Sequence, residues 1–299
     1  MNGVRCQVSG VRGWLLVLLF AATSPLAGQD AVTRYVRYKQ GDSVSFGILE
    51  GETIRQLRGD LFASPAPTGR TVRLSGVKLL SPVDPSRVNK VLGVAVNSRR
   101  PGREQALPHP RWFAKLPTSL NDPEGDIELP PEAANLNYEG ELVVVIGKRG
   151  RHIPVDRALE YVFGYTVGND VSENTWYAER AATDEPTRLI SKSADTWAAL
   201  GPVLVRGLDY RGLRVVTRLN GEVVNEGTTN DLVNDVPNLI SYISRYVTLL
   251  PGDVLYTGTY RYLPDKRRAF QAGDVVEVEI EKIGVLRNRV VAMKVPATP

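Results

Sequence analysis

The sequence predicts a β-rich α+β protein, and three observations carry that prediction. Apolar residues come mostly in short runs bounded by glycine, proline, asparagine or aspartate, the pattern of strands and turns. Only Asp235–Leu249 shows convincing helical spacing over several turns. A proline-punctuated break at Ser81-Pro82-Val83-Asp84-Pro85 divides a small N-terminal β domain, residues 29–80, from a larger domain, residues 81–299.

At 42% hydrophobic and 23% charged, the 299 residues hold enough apolar material for an ordinary globular core. The first 28 residues stand apart. Arg5 and Arg12 precede the apolar run Gly13-Trp14-Leu15-Leu16-Val17-Leu18-Leu19-Phe20-Ala21-Ala22, and small residues follow through Ala27-Gly28. A positive start, a short apolar stretch and a small-residue exit describe a secretory signal peptide at residues 1–28. A periplasmic or secreted protein is therefore expected. The alternative is an uncleaved anchor, but the run falls short of the ~20 residues that span a bilayer, and no stable membrane insertion is expected after removal. Subtracting Arg5 and Arg12 takes 37 basic residues to 35, against 33 acidic. That balance is too even for nucleic-acid binding. The single cysteine, Cys6, lies in the same segment, so the mature chain has no disulfide, thiolate metal site or cysteine nucleophile.

Along the N-terminal β domain, Tyr35-Val36-Arg37-Tyr38 alternates and Val44–Leu49 follows a Gly41-Asp42 turn, with Glu50-Gly51-Glu52 as the next turn. Ser64–Gly69 is a loop. Beyond the break, Val88–Val96 is a buried strand. Asn97–Leu129 is rich in proline and poor in periodicity, and is expected to be a long loop, either a lid or binding segment or a charged surface loop. Its charges include Arg99, Arg100, Arg103, Glu104 and Lys115, with Trp112 and Phe113 as anchors. Val155–Tyr161 spells a turn or two of helix, Val162–Asn169 a strand, and Ser172–Arg180 the start of a helix. The second half adds strands at Pro202–Val205 and Leu213–Leu219 and a hairpin turn at Asn220-Gly221. The amphipathic helix follows, with Leu239, Ile240, Ile243, Tyr246 and Val247 on its apolar face. Gly252–Thr259 is a strand ending in a tight turn.

The chemistry begins in Asn137–Gly147. Side chains two apart in an extended chain share a face, so Glu139 and Glu141 project together. Leu142–Ile146 is apolar on both faces, the mark of a buried strand, and paired buried anions are costly without a cation. The pair therefore reads as half of a metal site. Solvated glutamates at a strand end are the alternative, and Val275–Glu281 shows what those look like. There Glu277, Glu279 and Glu281 alternate with Val276, Val278 and Ile280, as on a half-exposed strand. Asp170, where the next strand ends, reads by itself as a helix N-cap.

Several stretches together resemble the fumarylacetoacetate hydrolase family. They are Tyr138-Glu139-Gly140-Glu141-Leu142, Gly164-Tyr165-Thr166 with Asn169-Asp170-Val171-Ser172, Lys192-Ser193-Ala194-Asp195-Thr196-Trp197, Leu200-Gly201-Pro202, Asn220-Gly221-Glu222 and Thr257-Gly258-Thr259, in the family's order. The resemblance covers essentially all of the mature chain. It implies a mixed β-roll domain after the small N-terminal β domain, and a homodimer. It further implies that Glu139, Glu141 and Asp170 bind one divalent cation, Mg²⁺ or Mn²⁺ or else Ca²⁺, ions that suit hard carboxylate oxygens. The implied substrate is a small anionic 2-oxo or 2,4-dioxo acid, and the implied reaction hydrolytic C–C cleavage through a metal-stabilised enolate. Isomerisation, decarboxylation and non-catalytic metal-dependent acid binding are the alternatives. Lys192 matches a family lysine that contacts the substrate or developing anion, and Thr259 a substrate-contacting threonine.

The chain also departs from the family. The usual lid pattern Asn-Tyr-x-x-His-x-x-Glu is here Asn97-Ser98-Arg99-Arg100-Pro101-Gly102-Arg103-Glu104. Proline takes no proton, so the water-activating pair is broken, and Glu104 is expected to act alone or to position a water. His109 is the candidate substitute in that stretch, while His152 reads as solvated. Arg100 is expected to contact the acid substrate, within a cationic set that includes Arg99, Arg103, Lys266, Arg267 and Arg268. The family arginine beyond Asp170 is Asn174, and the usual Pro-x-Gly-Val after Thr-Gly-Thr is Tyr260-Arg261-Tyr262-Leu263. The metal end is intact and the substrate end is rebuilt.

Overall fold

The alternation at Tyr35–Tyr38 becomes the centre of a meander. Strands β1 (Thr33–Gln40), β2 (Ser43–Glu50), β3 (Thr53–Arg58) and β4 (Ala66–Arg73) pair antiparallel in order, and β5 (Lys78–Leu80) folds back onto β1. The computed structural model describes Met1, Gly3, residues 32–99, Gln105, residues 107–181 and residues 189–294. The signal peptide expected at residues 1–28 thus lies, but for Met1 and Gly3, outside the described residues, as do Arg100, Pro101, Arg103 and Glu104. Residues 31–299 belong to one compact unit.

Further along come β6 (Val91–Ala95), β7 (Arg111–Lys115), β8 (Leu120–Asn121), β9 (Asp126–Leu129), β10 (Leu136–Asn137) and β11 (Gly140–Ile146). β12 (Val162–Asp170), β13 (Ser172–Glu173), helices α1 (Asn174–Ala181) and α2 (Leu189–Lys192), and β14 (Ala198–Arg206) complete the middle of the chain. The remainder is β15 (Arg214–Leu219), β16 (Glu222–Thr228), α3 (Val236–Ser244), β17 (Val254–Tyr256), β18 (Val275–Ile280) and β19 (Gly284–Ala292). The main sheet runs β4-β3-β2-β1-β14-β12-β11-β17-β6-β7, with β5 on β1 and β8 on β14. A second sheet runs β16-β15-β18-β19-β9. Val215, Val278, Ile280 and Leu286 from the second sheet are buried in one core with Leu142, Val144 and Val167 of β11 and β12. That cover on a strand already flanked by β12 and β17 explains why β11 is apolar on both faces.

The break near residue 80 does not interrupt the main sheet. β1 pairs with β14 in the register Thr33↔Arg206 to Tyr35↔Leu204, and Leu57 and Leu61 share a core with Val83, Val88, Val91 and Val143. The expected long loop over 97–129 requires correction, because it contains β7, β8 and β9. In β7 the buried positions are Phe113 and Lys115, so a strand alternation is present, but its second inward residue is a lysine. The amphipathic helix is also shorter than its apolar spacing. Asp235 caps it by accepting from the Asn238 N–H at 3.0 Å, Leu239, Ile240 and Ile243 are buried, and α3 ends at Ser244. Tyr246 lies beyond it, 58% exposed. Asn220 and Gly221 both take positive φ, 54° and 83°, in the two-residue turn between β15 and β16. Among the described residues no helix is long and apolar enough to cross a membrane.

Candidate active site

The pairing of β11 with β12 builds the site. Gly140 lies opposite Asn169 and Glu141 opposite Gly168. The Asp170 N–H donates to the Glu139 carbonyl at 2.8 Å, and Asn169 Oδ1 accepts from the Glu139 N–H at 3.0 Å. Two strand ends thus deliver Glu139, Glu141 and Asp170 to one place, with one carboxylate oxygen of each within 4.8 Å of the others. Glu141 and Asp170 are buried, and the Glu139 side chain is 19% exposed. The N-cap reading of Asp170 does not hold, since α1 starts only at Asn174 and the carboxylate is taken by two lysines.

Those lysines set the electrostatics. Lys192 Nζ lies 2.6 Å from Glu139 Oε2 and 2.7 Å from Asp170 Oδ2. Lys115 Nζ lies 2.6 Å from Asp170 Oδ1, and also donates to the Trp197 carbonyl at 2.9 Å and the Val171 carbonyl at 3.2 Å. Burial opposes ionisation of Asp170, but the two ammonium groups outweigh it and hold the carboxyl below its ordinary value. Burial likewise opposes the charge on Lys192, yet Asp170 and Glu139 push its pKa up to about 12. Glu141 has no such lysine contact. Burial, then the charges of Asp170 and Glu139, push its carboxyl well above the usual range, against the pull of Lys192. Among the described residues its one direct donor is the Gly258 N–H, 2.6 Å from Oε2. Gly258 holds φ at 109°, and a Cβ there would stand 2.8 Å from the Asn97 Cβ. Asn97 ties this corner together by donating to the Thr257 carbonyl at 2.7 Å and the Asn234 carbonyl at 2.9 Å.

Three crowded carboxylate oxygens, one of them on a group whose charge burial resists, fit a divalent cation that prefers hard oxygen ligands. Above them opens a cavity of about 220 Å³ whose walls include Ser98, Glu139, Asn174, Lys192, Thr259, Tyr262 and Arg267. It is smaller than the ~300 Å³ at which drug-sized pockets begin, and so suits a small acid. Thr259 Oγ1 also donates to the Gly140 carbonyl at 3.3 Å. Of the residues singled out from sequence, Glu139, Glu141, Asp170, Lys192 and Thr259 converge here, whereas Glu104 and Arg100 lie outside the described residues. His109 does not substitute for the missing histidine. It is exposed and its ring lies 5.9 Å from that of Tyr242, away from the cavity walls. The sequence reading missed Lys115 as part of the site and offered Arg267 within a cationic set that supplements acid binding. The Phe113/Lys115 alternation was the available signal for the first.

Comparison with known proteins agrees with this geometry. The family model described as fumarylacetoacetate (FAA) hydrolase C-terminal matches residues 90–291, and one described as Rv2993c-like, N-terminal, matches residues 33–82. The chain is 38% identical over 226 residues to a mitochondrial oxaloacetate tautomerase of Homo sapiens, covering 73% of this chain and 70% of that protein. Its fold is similar to that of a 5-carboxymethyl-2-hydroxymuconate delta-isomerase from Mycobacterium smegmatis, with a TM-score of 0.79 and 34% identity across 87% of this chain and 100% of the other. A 2-hydroxyhepta-2,4-diene-1,7-dioate isomerase from Mycobacterium marinum gives a TM-score of 0.77 at 32% identity, across 88% and 100% of the two chains. With its carboxylate triad, its two-sheet architecture and a family match over most of its length, the chain belongs to the fumarylacetoacetate hydrolase family.

Proposed function

We propose that the protein is a divalent-metal-dependent enzyme that interconverts tautomers or isomers of a small 2-oxo acid, using Mg²⁺ or Mn²⁺ held by Glu139, Glu141 and Asp170. The observation that carries this reading is the placement of Lys192. Its ammonium sits at the cavity wall within hydrogen-bond reach of two of the three carboxylates. A bound divalent ion supplies a positive charge that orients the 2-oxo acid and stabilises negative charge developing on its keto oxygen.

An amine held protonated is a hydrogen-bond donor and not a base. Lys192 Nζ therefore serves the enolate oxygen, stabilising it and supplying a proton to it. Thr259, from the opposite strand end, orients the acid beside it. In this reading Glu104, which the sequence argument has acting alone or positioning a water, takes the C3 proton, and Arg100 from the same stretch contacts the acid. Hydrolytic C–C cleavage, the reaction the resemblance first suggests, needs an activated water. Proline at position 101, and a His109 whose ring lies against Tyr242, argue against that activation. The relatives named as tautomerase and isomerases support the same choice.

The test is enolisation of oxaloacetate, followed through the ultraviolet absorbance of the enol, on the full chain with Mg²⁺, Mn²⁺ or chelator. Turnover should require the ion and vanish in Glu141→Gln. Lys192→Met should lower kcat by roughly 100-fold or more, the scale of losing one preorganised donor to an oxyanion. Cleavage of a 2,4-dioxo acid without enolisation would restore the hydrolase reading, and ion-dependent binding without turnover would make the protein a binder. A homodimer and export through residues 1–28 are also proposed, to be checked by light scattering and by sequencing the N-terminus of the exported protein.

A further inference from the structure

Glu139, Lys192 and Thr259 give the cavity its polar end, and part of the remaining wall is an aromatic side chain that the proposed chemistry does not use. Tyr262, between β17 and β18, lines the cavity at the position where the family pattern has glycine. A tyrosine in place of a glycine adds a whole phenol to the wall of a space of only about 220 Å³.

That phenol is held from several directions. The backbone on either side of it is tied to β16, since the Arg261 carbonyl accepts from the Glu226 N–H at 3.3 Å and the Leu263 N–H donates to the Val224 carbonyl at 2.9 Å. The Tyr262 hydroxyl donates to the Tyr138 carbonyl. Its ring lies 5.7 Å from that of Tyr138, and the Arg267 guanidinium lies 4.7 Å from its centre. Tyr138 is itself fully buried, in one core with Trp197 and Phe270. Swinging the Tyr262 ring aside would give up a hydrogen bond, an aromatic contact and a cation–π contact together.

These contacts decide what the residue can do. A hydroxyl whose proton is committed to a main-chain carbonyl has none to give a substrate. What Tyr262 offers the cavity is volume in a fixed place. The carbonyl that holds it belongs to the residue before Glu139, so the ring stands close to the carboxylate triad. An acid whose 2-oxo end sits at the ion has a tail that starts within reach of the ring. A wall fixed in this way does not yield to an over-long ligand without strain.

We propose that Tyr262 sets a length limit on the substrate, its ring blocking the tail so that short 2-oxo acids are accepted and longer ones refused. Tyr262 is a specificity residue, and the inference rests on the metal-dependent 2-oxo acid reading above.

The test measures binding of pyruvate, 2-oxobutanoate, 2-oxopentanoate and 2-oxohexanoate to the full chain by calorimetry with Mg²⁺. Each carries a single carboxylate, so charge stays constant and only length varies. The wild type should bind 2-oxohexanoate at least roughly tenfold more weakly than pyruvate, near the low end of what overpacking costs. Tyr262→Ala should abolish that ratio or invert it, each newly buried methylene adding up to about fourfold in affinity. Tyr262→Phe keeps the ring and should keep the limit. Tyr262→Leu retains more of the packing against Tyr138, should relax the limit in part, and carries the test if the alanine variant does not fold. A flat wild-type series, a ratio unchanged in the alanine or leucine variant, or a limit lost in Tyr262→Phe overturns this proposal alone, provided pyruvate binding still needs the ion and Glu141. If no acid of the series binds in an ion-dependent way, the substrate reading falls and this proposal with it.

Discussion

Lys115 and Lys192 carry the same charge on either side of Asp170, and their surroundings give them different duties. Lys192 faces the cavity. Lys115 is 2% exposed, and its three acceptors, Asp170 Oδ1 and the Trp197 and Val171 carbonyls, match the three protons of an ammonium. Satisfied on every side, it has no proton to offer a substrate and serves to hold one oxygen of Asp170 in place. Lys115→Met keeps much of the bulk but strands the buried carboxylate on that side. It should cost about 3–5 kcal/mol, the scale of breaking a buried pair from one end, seen as a lower urea midpoint, and should weaken Mn²⁺ binding in the fraction that folds. Near-native stability in that variant would mean Asp170 needs no second cation. The sequence displayed Lys115 only as one charge among several in an irregular stretch. Burial of a lysine depends on acceptors contributed by β12, by Val171 just after it and by the chain before β14, and their convergence is not written in local pattern.

At the scale of elements, the spacing Glu139-Gly140-Glu141 has two causes. The period of a strand puts both carboxylates on one face, and the glycine between them lets the second sheet close in. A Cβ at position 140 would lie 2.3 Å from Thr217 Oγ1 and 2.8 Å from Val278 Cγ1. Gly140→Ala should therefore push the end of β11 off the second sheet, costing roughly 1–3 kcal/mol as overpacked cores do. It should also weaken Mn²⁺ binding although no ligand is removed. Metal titration alongside urea unfolding separates the two effects, and unchanged affinity would show that the carboxylates tolerate the shift. A different element junction sets an acid limit. Asp274 accepts from Arg268, the Gln271 N–H and Asn220 Nδ2, so it ties the β15–β16 turn to β18. The Arg268 bond, working against burial, lowers its pKa from 3.8 to about 2. A depressed carboxylate contributes stability that is complete above its unfolded value and disappears as pH falls from 3.8 through about 2. With half-exposed Arg268 discounted for screening, the contribution is about 1–2 kcal/mol. Asp274→Asn should remove it at neutral pH and flatten the stability curve in that window. Elements with a continuous apolar run, full alternation or explicit turn chemistry were legible beforehand, among them β11, β12, β18 and the Asn220-Gly221 hairpin. β8, β10 and β13 have two residues each. They were not, because pairs so short are set by their partners and carry no period of their own.

For the whole molecule, the pairing of β1 with β14 decides whether the N-terminal strands are an appendage or part of the catalytic framework. Sequence composition changes near residue 80, and two family models meet there, one ending at 82 and the other starting at 90. Hydrogen bonds and apolar contacts ignore that division. β14 holds β12 on one edge and β1 on the other, and Leu57 and Leu61 are buried against Val83, Val88, Val91 and Val143, the last of these on the strand that carries Glu141. Unfolding the first five strands would bare that shared core and leave an edge of β14 unpaired, both costly next to the few kcal/mol by which domains are stable. The chain from β1 to β19 should therefore unfold in one transition. A probe at each end tests this: fluorescence from the buried Trp197 reports the catalytic part, and a dye on a cysteine introduced at Ser64, in the loop before β4, reports the N-terminal part. Coincident urea curves are expected, and Leu57→Ala, distant in sequence from every carboxylate of the triad, should shift both curves together by about 2–5 kcal/mol. A dye transition that precedes the tryptophan transition would show the N-terminal strands to be a separable unit, and would confine the cooperative scaffold of the site to the strands from β6 onward.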